Sequence, residues 1–338
     1  MDSSAVPPQV AMLRMLNGFH VTQMLSVAAR LGIPDLLADE PKTADELARA
    51  TSAQPDALYR MLRALAGMGV FEEHTGRRFA LTPLGATLQS SHPHTLRAHA
   101  IFLGGEAYRA WGDLPYSIAT GQAAFDHVFG AAHFAYLGEH PDANEVFNQA
   151  MSVAARREIV AMVAAYDFSG AATLVDVGGG QGMLLTAILL ANPGLRGALF
   201  DLPHVVAGAT TALSAAGVAD RCEIVGGDFF TTAPPAGDIL ALSHILHDWD
   251  DERCALILRS CARALGPRSK LLVIEDIIEP SANAPQTLFK DMHMMVLNGG
   301  RERTAQEYER LLATAGLRLT RIIPTALETR IIEAETLK

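Results

Sequence analysis

Cysteine is scarce, with only Cys222, Cys254 and Cys261 among 338 residues. An odd number at wide spacing excludes both a disulfide framework and a zinc-ligand pattern, and suits a reducing compartment. Positive charge is short as well: 27 Lys plus Arg stand against 37 Asp plus Glu, a net charge of −10. Nothing global attracts a polyanion, so nucleic acid is not expected as a partner. No apolar run approaches the roughly 20 residues that span a bilayer, and no membrane partner is expected. The opening MDSSAVPPQV lacks the basic start and apolar stretch of a secretory leader, with Arg14 interrupting the nearest candidate. The expectation is a soluble cytoplasmic protein. The chain is 49% apolar and 19% charged, which folds rather than stays disordered, and its length favours two domains.

The first of these reads as residues 1–165. Leu13, Leu16, Val21, Met24, Leu25 and Ala28 recur at helical spacing before Gly32, Ile33, Pro34 and Asp35 restart the chain. Thr43 and Glu46 form a capping-box signature, and Gln54-Pro55 opens a second short helix carrying Leu58, Met61, Leu62 and Leu65. Val70-Phe71, a polar turn and Phe79-Ala80-Leu81 then read as a hairpin, the order of a winged helix. That shape has a DNA-binding reading and a packing or dimerisation reading. Positions 43–90 hold five basic and five acidic residues, and zero net charge favours packing. From about 92 to 165 the pattern is helical, with scattered aromatics that suit the core or the wall of a ligand pocket.

Residues 166–338 change to strand, glycine turn, helix, strand. Apolar strands are predicted at 173–177, 197–200, 222–225, 239–242 and 270–274, with helices at 183–191, 204–216 and 252–265. Such alternation indicates an α/β domain with a mostly parallel sheet covered on both faces. Segments 317–324 and 330–333 would add an antiparallel pair at one edge.

The stretch Val175 to Gly182 puts a glycine turn at the carboxyl end of the first strand, where open parallel sheets bind ligands. The dinucleotide fingerprint fails, because its third glycine falls at Met183 or Leu185. Asp201 ends the second strand about 20 residues on, where a carboxylate accepts ribose hydroxyls. The third strand ends in Asp228-Phe229, an acid beside a flat ring suited to adenine. Three strand ends thus converge on an adenosine-like ligand.

Together with the FDLPHV and GGDFF segments and the block from His244 to Glu252, these features resemble the S-adenosylmethionine-dependent small-molecule O-methyltransferases of plant phenolic and bacterial antibiotic pathways. The resemblance covers nearly the whole chain, and its most specific part is Ile245 to Trp249. It implies a Rossmann-like class I methyltransferase domain behind a winged-helix-like dimerisation domain, a homodimer, S-adenosylmethionine as cofactor, and an aromatic acceptor between the domains. Carried onto this sequence, it assigns Gly178 and its neighbours, Gly180 among them, to the donor's methionine end, Asp201 to the ribose, and Asp228 and Phe229 to the adenine, with Leu202 also a cofactor-binding residue. His247 is then the general base, flanked by Glu275 and Glu302. Ser243 stands where plant members often carry a lysine. Met294, Met295 and Asn298, with Phe147 and Met151, would face the acceptor.

The chemistry fits these groups. Methyl transfer is an in-line displacement that demands positioning, and a phenol of pKa near 10 needs a base to become a good nucleophile. Histidine serves, with a carboxylate on its other ring nitrogen fixing the tautomer. Other readings stay open at single residues. His244 and His247, three apart with Asp248 and Asp251 nearby, have a metal-chelating reading, although H-E-x-x-H is absent and no metal is expected. His244 is otherwise a satisfied histidine near the site. Trp249 packs on adenine or is an ordinary buried tryptophan, and the methionines line a pocket or are plain core. For the whole protein, the competing functions are a winged-helix regulator, a nicotinamide oxidoreductase, and a relative that methylates nitrogen or performs hydroxylation or decarboxylation.

Overall fold

The computed structural model describes residues 6–279 and 285–337. The chain forms two compact units, residues 1–112 with 134–154 and residues 113–133 with 155–338. A single cut at 165 was expected. The units instead change over three times, the last inside the helix Pro141–Ala165, because one continuous helix supplies residues to both.

In the first unit the helices Pro8–Leu16, Gly18–Arg30 and Ile33–Leu36 follow the predicted apolar spacing. Thr43 caps the helix Ala44–Thr51: its hydroxyl accepts from the Glu46 amide at 3.2 Å while Glu46 accepts from the Thr43 amide at 2.7 Å. The hairpin is present as β2 (Phe71–His74) and β3 (Arg78–Leu81), and β1 (Lys42–Thr43) joins its free side in the order β1-β3-β2. β1 escaped sequence reading because two residues carry no periodicity. Leu47, Leu62, Leu65, Phe71 and Phe79 close the core beneath.

The second unit is a seven-stranded sheet: β4 (Thr173–Val177), β5 (Arg196–Asp201), β6 (Cys222–Gly226), β7 (Gly237–Ser243), β8 (Leu265–Asp276), β9 (Leu317–Pro324) and β10 (Thr329–Thr336). Their order is β6-β5-β4-β7-β8-β10-β9, with β10 antiparallel to both β8 and β9. The predicted helix at 204–216 is two, Pro203–Val206 and Ala209–Ala215. Successive strand residues point to opposite faces. Leu174, Leu199, Ile239, Leu272 and Ile331 therefore pack with the helix Met183–Ala191 on one side. Val175, Phe200, Leu240, Val273 and Ile332 pack with Asp251–Ala264 and Ala305–Ala313 on the other. The order reverses between β4 and its neighbours β5 and β7, which places the ligand-binding crevice at the end of β4. No helix among the described residues is long and apolar enough to cross a membrane.

Candidate active site

The chain leaves β4 through Gly178 (φ +72°) and Gly180 (φ +59°), left-handed backbone that side chains resist. A Cβ on Gly178 would lie 2.5 Å from Ile245 Cδ1 and 3.6 Å from Phe229 Cε1, so the glycine turn, the end of β6 and the segment after β7 converge. Asp201 braces the turn: Oδ2 accepts from the Gly180 amide at 2.8 Å, and Oδ1 accepts from Leu202 at 2.6 Å. A carboxylate accepts about four hydrogen bonds, so capacity for a diol remains. Burial raises the Asp201 carboxyl above its usual range, against the pull of those two amides. Asp228 Oδ1 accepts from the Phe230 amide at 2.9 Å, folding the segment that presents Phe229. Phe230 meets Trp249 edge-on at 4.9 Å, and Phe229 meets it at 6.3 Å. Trp249 thus belongs to an aromatic cluster beside the adenine candidate. Ser243 ends β7, half-buried beside Ile274 of β8.

Beyond Ser243 the chain turns through His244, itself left-handed at φ +53°, into the short 3-10 turn Leu246–Asp248. Two buried groups hold this turn from opposite ends. Glu275 Oε1, at the end of β8, accepts from the amides of Ile245, Leu246 and His247 at 3.0, 2.9 and 3.3 Å. The Arg303 guanidinium donates to the carbonyls of Leu246 and Trp249 at 2.8 Å each and to Asp251. Residues 299–303 close over the top, with the Arg301 amide donating to the His247 carbonyl at 2.8 Å. A Cβ on Gly300 would lie 2.0 Å from the His247 carbonyl oxygen and 2.5 Å from the Asp248 carbonyl carbon. Backbone cannot yield there. Gly300→Ala is expected to destabilise the fold by about 3 kcal/mol or more and to displace the turn; an unchanged urea midpoint and turnover would refute this packing.

Within this frame the His247 side chain, 6% exposed as a residue, presents Nδ1 to Glu302 Oε1 at 2.8 Å. Glu275 Oε2 lies 3.3 Å from the same nitrogen, and Asp248 Oδ1 lies 3.8 Å from Nε2. The two glutamates therefore divide their work: Glu302 bonds the ring, while Glu275 mainly anchors the backbone. Burial, reinforced by the positive charges of Lys290 and His244, pushes His247 down to about 3 against the Glu275 charge, so the imidazole is neutral at pH 7. Burial pushes Asp248 up to about 8, where Asn298 Nδ2 donates to it at 2.5 Å.

His244 belongs to a second dyad. Its Nε2 lies 2.6 Å from Glu158 Oε2. Against burial and the Lys290 charge, Glu158 and Glu275 push it up to about 9. Lys290 places its ammonium 3.3 Å from His244 Nδ1, 3.1 Å from Asp276 Oδ2 and 3.5 Å from Glu302 Oε1. His244, His247 and Glu275 each offer a ligand atom within 4.8 Å of one another, and the Lys290 ammonium ties the surrounding carboxylates into an ion-pair network. Asp251, expected near the two histidines, is instead Arg303's partner.

Of the acceptor candidates, Met294 is buried and Met295 half-buried on the helix Pro285–Asn298. Asn298 is engaged on both sides, by Asp248 and by His133 Nδ1 at 2.8 Å. Phe147 and Met151 belong to the first unit, Phe147 half-buried and edge-on to Phe102 at 5.6 Å, Met151 at the surface. Sequence reading missed Arg303, Glu158 and Lys290. Lysine occurs at four positions in the chain, and Lys290 is the one inside an apolar amphipathic helix. That oddity was the available signal.

The family model for the O-methyltransferase domain matches residues 111–318, and that for the O-methyltransferase dimerisation domain matches residues 13–91. The chain belongs to the O-methyltransferase family. It is an S-adenosylmethionine-dependent O-methyltransferase with a class I methyltransferase domain. It is 46% identical to the phenazine O-methyltransferase PhzM of Lysobacter antibioticus over 98% of this chain and 97% of that protein. It is 44% identical to the mitomycin biosynthesis 6-O-methyltransferase of Streptomyces lavendulae, over 92% and 89% of the two chains. The crystal structure of LaPhzM superposes with a TM-score of 0.95 at 46% identity, covering 98% of this chain and 100% of the other. The regulator and oxidoreductase readings fall with this assignment.

Proposed function

We propose that this O-methyltransferase acts on a hydroxyl of a fused-ring or phenolic secondary metabolite of the phenazine kind, with His247 as general base. The observation that carries this reading is the buried 2.8 Å contact between His247 Nδ1 and Glu302 Oε1. It commits one ring nitrogen as a donor and leaves Nε2 to accept a proton.

The donor site is assigned to the Gly178–Gly180 backbone, Asp201 and Leu202 for the ribose, and Asp228, Phe229 and Trp249 around the adenine, with Ser243 adjoining. The fit rests on the cradle at Gly178, which a side chain would fill, and on the spare acceptor capacity of Asp201. S-adenosylmethionine, when bound, supplies an electrophilic methyl on a sulfonium whose charge disappears on transfer. His247 Nε2 removes the acceptor's hydroxyl proton, and Glu302 and Glu275 stabilise the imidazolium that forms. A base held neutral gains its positive charge just as the neighbouring site loses one, so the buried charge balance is preserved. Met294, Met295 and Asn298 are assigned to the acceptor side; the methionines conform to flat rings.

A homodimer through the N-terminal domain is part of the proposal. Its support is the dimerisation-domain match and the exposed Met12, Leu13, Met15, Leu16 and Phe19 on the opening helices. Light scattering should give twice the chain mass. The acceptor class is tested by incubating the enzyme with labelled donor and a panel of hydroxylated phenazines, naphthoates and simple phenols, each beside its amino analogue. Label on a fused-ring hydroxyl is expected. Transfer only to nitrogen, or to none of the panel, would overturn the assignment.

A further inference from the structure

Lys290, its side chain 26% exposed, is the least expected member of this partly buried cluster. Four carboxylates meet there, Glu158, Glu275, Asp276 and Glu302, the last three of them buried. Among the described residues Lys290 is the lysine or arginine in contact with Asp276 and Glu302. The Arg303 guanidinium is committed to Asp251 and to three backbone carbonyls. Resting on the reading of His247 as base, we propose that Lys290 is a positioning residue: its ammonium pins Glu302 against His247 Nδ1 and balances the buried carboxylates, keeping Nε2 of the imidazole open to the acceptor's proton.

The geometry supplies the links. Glu302 Oε1 is shared, 2.8 Å from His247 Nδ1 and 3.5 Å from Lys290 Nζ. The Glu302 backbone is fixed independently, its amide donating at 2.9 Å to Asp291 Oδ1 one residue beyond Lys290. The helix Pro285–Asn298 thus holds Glu302 by main chain and side chain at once. Asp276, the other carboxylate on the ammonium, is held by the Thr329 hydroxyl of β10 at 3.1 Å. Without the ammonium, Glu302 and Glu275 would face His247 with too little positive charge to balance them, and a proton would fill the deficit.

The other groups that bear on the imidazole do not substitute for Lys290. Asp248 is largely neutral at pH 7, as its raised value of about 8 requires. His244 carries a charge but is tied to Glu158 at 2.6 Å on the Pro141–Ala165 helix. Tyr308 and Cys254, from the helices beneath, are both shifted upward by burial and stay neutral. Burial raises Glu302 itself, and the Lys290 charge works against that rise. Removing one positive charge from a buried site makes proton uptake easier. The His247–Glu302 pair should therefore bind a proton at higher pH in a variant lacking Lys290.

The test compares Lys290→Met and Lys290→Arg with wild type by the pH profile of kcat/KM and by NMR titration of the labelled His247 ring. Wild type should show a neutral ring and no acidic limb near neutral pH. Lys290→Met should shift the ring titration, and with it the acidic limb of the profile, upward by on the order of one to two pH units; Lys290→Arg should restore the wild-type profile. If Lys290→Met does not fold, Lys290→Gln carries the comparison. Superposable profiles and titrations in wild type and the charge-free variant would overturn the proposal, as would Lys290→Arg behaving like the charge-free variant. Full activity in His247→Ala would instead overturn the base assignment, and the ring titration would still report whether Lys290 acts on His247.

Discussion

His247→Ala is expected to lower kcat by about 10²- to 10⁴-fold, the usual range for losing a general base, while donor affinity measured by calorimetry stays close to wild type. The split follows from the site's construction. His247 contacts Glu302 and Glu275, whereas the donor assignment rests on the glycine turn, Asp201, Asp228 and Phe229. The 3-10 turn should survive the change, because Glu275 and Arg303 hold its backbone and not its ring. Equal losses in turnover and donor affinity would mean that His247 is structural. An acceptor already ionised at assay pH should lose less than a neutral phenol, since its proton is gone before the reaction starts.

The second large effect is expected at Asp201. Asp201→Ala removes the acceptor for the ribose and also the brace on Gly180, so the donor Kd should rise by about 10- to 100-fold, in line with the loss of charged hydrogen bonds worth about 1.5–3 kcal/mol. Asp201→Asn separates the two roles. Its carbonyl oxygen can still accept from the Gly180 or Leu202 amide, so the turn should hold while the charged ribose contact is lost. Unchanged donor affinity in both variants would remove Asp201 from the donor site.

Several features were legible early because they are local. The run from Val175 to Gly182 contains its own instructions: apolar residues for a strand, then glycines where only glycine enters left-handed backbone easily. The Thr43–Glu46 box is likewise readable, since both partners lie within one helical turn. Glu275 and Glu302 were named from resemblance, but their separate duties were not, because a motif records residue types and not which oxygen meets which nitrogen. Lys290 went unnoticed because its rarity in the chain is a weak signal on an amphipathic helix, where lysine ordinarily faces water; packing shows its ammonium engaged with Asp276 and Glu302. Asp251 illustrates the opposite error. Its place four residues after His247 made it a candidate partner, yet it starts a helix and points to Arg303.

The sequence by itself determined the strand and helix alternation, the glycine turn and the acids at the strand ends, since each depends on backbone preference or side-chain pattern within a few residues. Tertiary structure alone decided that His247 meets a carboxylate 55 residues away and that His244 meets one 86 residues away. Such contacts have no local signature: the sheet order sets the ends of β7 and β8 side by side, and the helix Pro141–Ala165 and the segment after the helix Pro285–Asn298 bring their carboxylates to that point.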